Sequence, residues 1–189
     1  MLDFLYSIDV SVFYFINHTL QNPLFNKFFP FITEVKHWHI AFLLLWGISF
    51  FKGGRKGKVA AIGAILVIIA SDQISSNLLK NWVQRIRPCN VLPDVHLLAG
   101  CTSSFSFPSS HAVNNFAMAV FFYKFFPNLK YPLFITAFLV ALSRPYCGVH
   151  YPSDVFFGGI IGGVIGYLLS IAAIKTDLFI QSKFGKKEL

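Results

Sequence analysis

Five long apolar runs, joined by connectors with basic residues clustered at their ends, leave this chain few ways to fold. They cover about 37–51, 59–79, 110–126, 129–143 and 153–174. At a helical rise of about 1.5 Å per residue, the 59–79 run reaches roughly 30 Å, the hydrocarbon thickness of a bilayer. Hydrophobic residues make up 55% of the chain and charged ones only 13%. A water-soluble domain of 189 residues could not bury that much apolar surface. The expected fold is all-α, a polytopic membrane helix bundle with a five-helix core, in one domain. Its parts are an N-terminal segment (1–36), a transmembrane core (37–174) and a basic tail (175–189).

The N-terminal segment is less regular. Asp3, Ser7, Asp9, Ser11, Asn17 and His18 interrupt its apolar character, and Pro23 and Pro30 break it around Phe25, Phe28 and Phe29. This reads as an interfacial helical segment with its aromatic face in the bilayer; a tilted sixth span is the alternative. No Lys or Arg precedes Lys27, so the positive region of a signal peptide is missing.

The net charge of +8 does not point to nucleic acid, because the cations sit at the ends of apolar runs. Lys52, Arg55, Lys56 and Lys58 form one cluster, and Lys175, Lys183, Lys186 and Lys187 another. The positive-inside rule puts these loops, with 124–130 and the C-terminus, in the cytoplasm. Segments 80–110 and 144–153 then face the periplasm or exterior from an inner (plasma) membrane. Gly158, Gly162 and Gly166 form a stripe suited to close helix packing.

The exoplasmic segments carry the chemistry. Lys80 and Arg87-Pro88 would share a helical face if the helix continued to the proline. Two such cations could simply reach lipid phosphates, as Arg85 and Trp82, off that face, are expected to do. Pro108-Ser109-Ser110-His111 precedes an apolar run: either a plain helix cap, or an anion cradle of free N–H groups with a proton donor beside it. Ser143-Arg144 and His150-x3-Asp154 form the third group. Pro152 should open a helix with Asp154 in its first turn, where the carboxylate can orient His150 as a nucleophile. Asp72 is expected to make a polar helix contact or to tune Lys80. His96 should be solvated or facing headgroups, and His18, His37 and His39 should anchor at interfaces.

The ordered pattern K-x6-R-P, P-S-x-H, S-R-x5-H-x3-D resembles the signature of the type 2 phosphatidic acid phosphatase (PAP2) family, which also includes vanadium-dependent haloperoxidases. The resemblance covers Lys80 to Asp154 and departs from the family at Ser110, where glycine is usual. It implies a lipid phosphatase in which His150 forms a phosphohistidine oriented by Asp154. His111 would serve as acid and then base, while Lys80, Arg87, Arg144 and the Ser109–Ser110 backbone hold phosphate. Undecaprenyl diphosphate, phosphatidylglycerol phosphate and the 1-phosphate of lipid A are the implied substrates. A vanadate-dependent oxidase and a non-catalytic lipid-phosphate binder or translocator are the rivals. No metal or other cofactor is expected, and no carboxylate cluster suits one. The expected partners are the bilayer and its lipid phosphate, with no obligate protein partner. Cys89 and Cys101 flank an exoplasmic loop and could pair in an oxidising compartment, with Cys147 as competitor.

Overall fold

The computed structural model describes residues 2–184, and every regular element among them is helical. Helix α1 (Leu2–Tyr14) runs into a π-helical turn (Phe15–Thr19), and α2 (Phe25–Thr33) is followed by a 3₁₀ turn (Val35–Trp38). Then come α3 (His39–Lys52) and α4 (Gly54–Asp72), which continues through a π-helical stretch (Gln73–Leu79) into α5 (Lys80–Val83). After a single turn, α6 (Pro88–Val91), and a long loop, the chain forms α7 (Ser110–Phe125), α8 (Lys130–Tyr146) and α9 (Pro152–Phe184). All five apolar runs are helices. The last is longer than expected: α9 takes in residues 175–184 of the basic tail, while Lys186 and Lys187 lie outside the described residues.

The bundle is packed for lipid. Its interior is built from small or compact side chains such as Ala60, Ala64, Val67, Val113 and Ala117 around Phe121. Large apolar groups point outward instead, among them Leu43 and Phe51 of α3, Leu66 of α4 and Leu168 of α9. α3 buries no residue at all. Among the described residues, two stretches, Gly54–Val91 and Pro152–Phe184, are long and apolar enough to cross a bilayer.

The glycine stripe explains how the site is brought together. A Cβ on Gly162 would lie 2.1 Å from the Val113 carbonyl oxygen, and one on Gly166 2.2 Å from that of Ala117. α7 and α9 therefore meet backbone to backbone, an approach that side chains would forbid. That contact holds the start of α7 against the start of α9, where Ser109 N–H donates to the Asp154 carbonyl at 3.1 Å.

The N-terminal segment lies over the same end of the bundle. Asn17, fully buried, donates through Nδ2 to the carbonyls of His96 and Tyr146, each at 2.9 Å. It also accepts the His96 N–H at 2.9 Å. Tyr14 adds a bond from its hydroxyl to the Pro93 carbonyl at 2.8 Å. His96 is thus gripped by its backbone, with Nε2 buried and unpartnered, and is not the solvated residue its loop position suggests.

Candidate active site

Three cations from the motifs are buried together at the loop end of the bundle. Lys80 is 6% exposed, Arg87 7% and Arg144 8%. Lys80 Nζ donates to the Phe105 carbonyl at 2.7 Å. Arg87 donates to the Ser104 carbonyl (2.8 Å), the Ser104 hydroxyl (2.9 Å) and the Val149 carbonyl (2.9 Å). Arg144 donates from Nη1 to the Thr33 hydroxyl at 2.7 Å. Every one of these acceptors is neutral, and among the described residues none of the three cations forms a salt bridge. Buried cations are normally matched with carboxylates, so an unmatched trio makes a strong anion site. Arg144 Nε and the Ser109 hydroxyl are also buried without a partner, donors that a bound anion would satisfy.

Lys80 and Arg87 do not share a helical face. The helix stops at Val83, because Gln84 takes a left-handed conformation (φ 53°). Arg87 reaches the site from the extended chain before Pro88, which opens α6.

His150 sits in the loop before α9, 2% exposed. Its Nε2 lies 3.0 Å from Arg87 Nη1. A guanidinium only donates, so Nε2 is the acceptor and the ring proton is on Nδ1. Nδ1 is 3.3 Å from the Ser106 hydroxyl and 3.5 Å from Asp154 Oδ2. Ser106 in turn donates to that same Oδ2, which also accepts the Tyr151 N–H at 2.9 Å. Asp154, fully buried in the first turn of α9, is thus tied to the imidazole largely through a serine. Burial lowers the His150 pKa to about 3; the Asp154 hydrogen bond opposes this, and Arg87 and Arg144 add to the lowering. A depressed pKa keeps the ring neutral as pH falls, whereas an ordinary histidine of pKa about 6.5 would be roughly nine-tenths cationic at pH 5.5. ¹⁵N NMR of histidine-labelled protein, assigned with His150→Gln, should show a neutral Nδ1–H ring at pH 5.5. A cationic ring there would refute this protonation state.

Arg85 does not anchor to lipid. It donates from Nη1 to Asp154 Oδ1 at 2.7 Å and from Nη2 to Asp9 Oδ2 at 2.7 Å, and stacks 3.8 Å above the Tyr151 ring centroid. Asp9 also accepts the Ser153 N–H at 2.9 Å. Two carboxylates share this arginine, so it is turned inward, whereas Trp82 points outward and is 80% exposed.

The second motif differs in detail from the expected cradle. The Ser109 N–H is engaged with Asp154, so Ser109 can offer a ligand its free hydroxyl but not its backbone donor. Ser110 begins α7 without positive φ, since Gln84 and Asp94 are the only non-glycine residues with positive φ among those described. Serine therefore fits where glycine is usual. Its hydroxyl meets Ser76 Oγ at 3.1 Å, and Ser76 donates to Asp72 at 3.1 Å, which gives Asp72 a structural link to the motif. His111 Nε2 lies 3.2 Å from the Thr33 carbonyl. With Arg144 it lines a cavity of about 740 Å³ walled by Phe31, Val35 and Leu98.

Cys89 and Cys101 are joined in a disulfide, and Cys147 is a buried free thiol packed near Phe29 and Tyr146. The structure thus gathers His111, His150, Asp154, Lys80, Arg87, Ser109, Ser110 and Arg144 at one end of the bundle. It adds Asp9, Thr33, Arg85 and Ser106. Of these, Asp9 carried a signal in the sequence, as an acid within an apolar stretch that needs a partner.

Comparison with known proteins finds relatives along most of the chain. The model of the PAP2 superfamily matches residues 61–176. A lipid A 4′-phosphatase of Bacteroides thetaiotaomicron is 32% identical over 96% of this chain and 84% of its own length. The crystal structure of Aquifex aeolicus LpxE superposes with a TM-score of 0.65 at 28% identity, covering 89% of this chain and 95% of that one. A PAP2-type phosphatidylglycerolphosphate phosphatase from Bacillus subtilis gives 0.68 at 27% identity, covering 95% and 89%.

Proposed function

Since the chain belongs to the PAP2 superfamily and is a membrane lipid phosphatase of that type, we propose that it hydrolyses a lipid phosphate monoester through a phosphohistidine. The observation that carries this is the trio Lys80, Arg87 and Arg144, satisfied only by neutral acceptors and set beside a histidine whose Nε2 bears a lone pair. Nε2 attacks phosphorus, the bond from phosphorus to the lipid oxygen breaks, and His111, entering the step as the imidazolium with a second proton on Nδ1, gives that Nδ1 proton to the oxygen. His111 then takes a proton from water, the water oxygen attacks phosphorus, and the P–N bond breaks to release phosphate and restore His150. Asp154 and Ser106 hold the Nδ1 proton throughout and stabilise the positive phosphoimidazole.

Phosphoryl transfer of this kind depends on positioning and on neutralising charge. Three fixed cations and the Ser109 hydroxyl supply both. By analogy with an oxyanion-hole donor, each charged contact contributes about 2.7–4 kcal/mol to the transition state. The distribution of basic loops supports a site on the periplasmic face of an inner membrane with a cytoplasmic C-terminus. Lipid A is the first substrate to test, because the Bacteroides relative that matches along nearly the whole chain is named a lipid A phosphatase.

Phosphate release by purified protein in detergent with EDTA should be measured on lipid A, undecaprenyl diphosphate and phosphatidylglycerol phosphate. Release from lipid A that survives EDTA is the expected result. Loss of activity with EDTA would overturn the metal-independent mechanism, and preference for another lipid would overturn the substrate.

A further inference from the structure

Two of the site residues lean on one residue far outside the matched family region. Thr33 is the last residue of α2 and only 5% exposed. Its hydroxyl accepts from Arg144 Nη1 at 2.7 Å, and its carbonyl lies 3.2 Å from His111 Nε2. A carbonyl can only accept, so the His111 proton is on Nε2 and Nδ1 is the nitrogen left for substrate.

That carbonyl is held firmly. The last turn of a helix leaves its carbonyls without helical partners, and here three successive ones are closed by side-chain donors. Phe31 O is paired with the His37 ring at 3.0 Å and Ile32 O with the Trp38 indole at 3.1 Å, both from the 3₁₀ turn that follows. Thr33 O is paired with His111 of α7. The third position of a helix cap is thus occupied by the proposed acid and base.

We propose that Thr33 is a positioning residue of the phosphatase site, setting the guanidinium plane of Arg144 through its hydroxyl and the tautomer of His111 through its carbonyl. This rests on the phosphatase reading above. Arg144 Nε is unpartnered, and among the described residues Thr33 is the one side-chain acceptor of the guanidinium, through Nη1. Without that hydroxyl the guanidinium can rotate, and a fork that grips two phosphate oxygens needs a fixed plane.

The test compares Thr33→Val, Thr33→Ala and Thr33→Ser with the wild type, using kcat, KM and inhibition by orthovanadate as a phosphate probe. Val and Ala, which both lack the hydroxyl, should weaken orthovanadate inhibition about tenfold and lower kcat/KM by a similar factor. Ser should restore both to within about twofold. Each is scored on the monodisperse fraction after size exclusion, so the two hydroxyl-free variants check each other if one folds poorly. Wild-type inhibition and kinetics in both would overturn the assignment while the phosphatase reading stood. A wild-type protein that releases no phosphate would defeat both at once.

Discussion

His150→Ala should abolish phosphate release, lowering kcat by at least about 10³-fold, because loss of a nucleophile removes the covalent route outright. The neutral ring carries its lone pair on Nε2, which lies 3.0 Å from Arg87 Nη1 among the buried cations. The companion measurement is trapping. Wild-type protein mixed with ³²P-labelled lipid phosphate and quenched in base should carry acid-labile label, and His150→Ala should carry none. Label on another residue, or undiminished turnover by the variant, would exclude the phosphohistidine. Asp154→Asn should lie between these extremes, since it leaves the ring present but removes the charge that stabilises the phosphoimidazole.

The second large effect is expected at Arg85. This side chain joins Asp9 of α1 to Asp154 of α9, with two contacts at 2.7 Å. Arg85→Ala would leave the fully buried Asp154 and the largely buried Asp9 without their cation. Removing one member of a buried ion pair costs about 3–5 kcal/mol. The variant should melt well below the wild type and lose activity even where folded, because Asp154 would no longer be fixed under Ser106 and His150. Arg85→Lys should not rescue it: one ammonium cannot reproduce a planar fork that reaches two carboxylates and stacks on Tyr151. Asp9→Asn should do less harm, as Arg85 keeps Asp154, and a double-mutant cycle between positions 9 and 85 isolates their coupling. A stable and active Arg85→Ala would show that the pair is incidental.

These two residues mark the limits of what the sequence could say. His150 stood out because a histidine and an aspartate between apolar runs have no packing role, and Pro152 fixed where the helix had to begin. Arg85 could not be read in the same way. Its carboxylate partners are 69 and 76 residues away, and beside Trp82 at a membrane boundary a lipid anchor was the simpler account. The break at Gln84 was equally hidden, since glutamine carries none of the usual marks of a left-handed cap. Ser106 lies in a serine-rich loop where nothing separates it from Ser103 or Ser104. The span ends were legible from hydropathy on the loop side, but α9 runs past its apolar part and continues as helix through Lys175 and Asp177 to Phe184.

Asn17 has a consequence for how the protein is made. Its side chain binds backbone groups of His96 and Tyr146, 79 and 129 positions later in the chain, and Asp9 reaches Ser153, 144 positions later. The earliest residues to leave the ribosome are therefore among the last to find their places, waiting until α8 and the start of α9 have been inserted. A nascent chain that already carries Lys80, Arg87 and His111 has no finished active site. Until His150 and Asp154 have been made, such a chain lacks both the proposed nucleophile and the carboxylate that holds it.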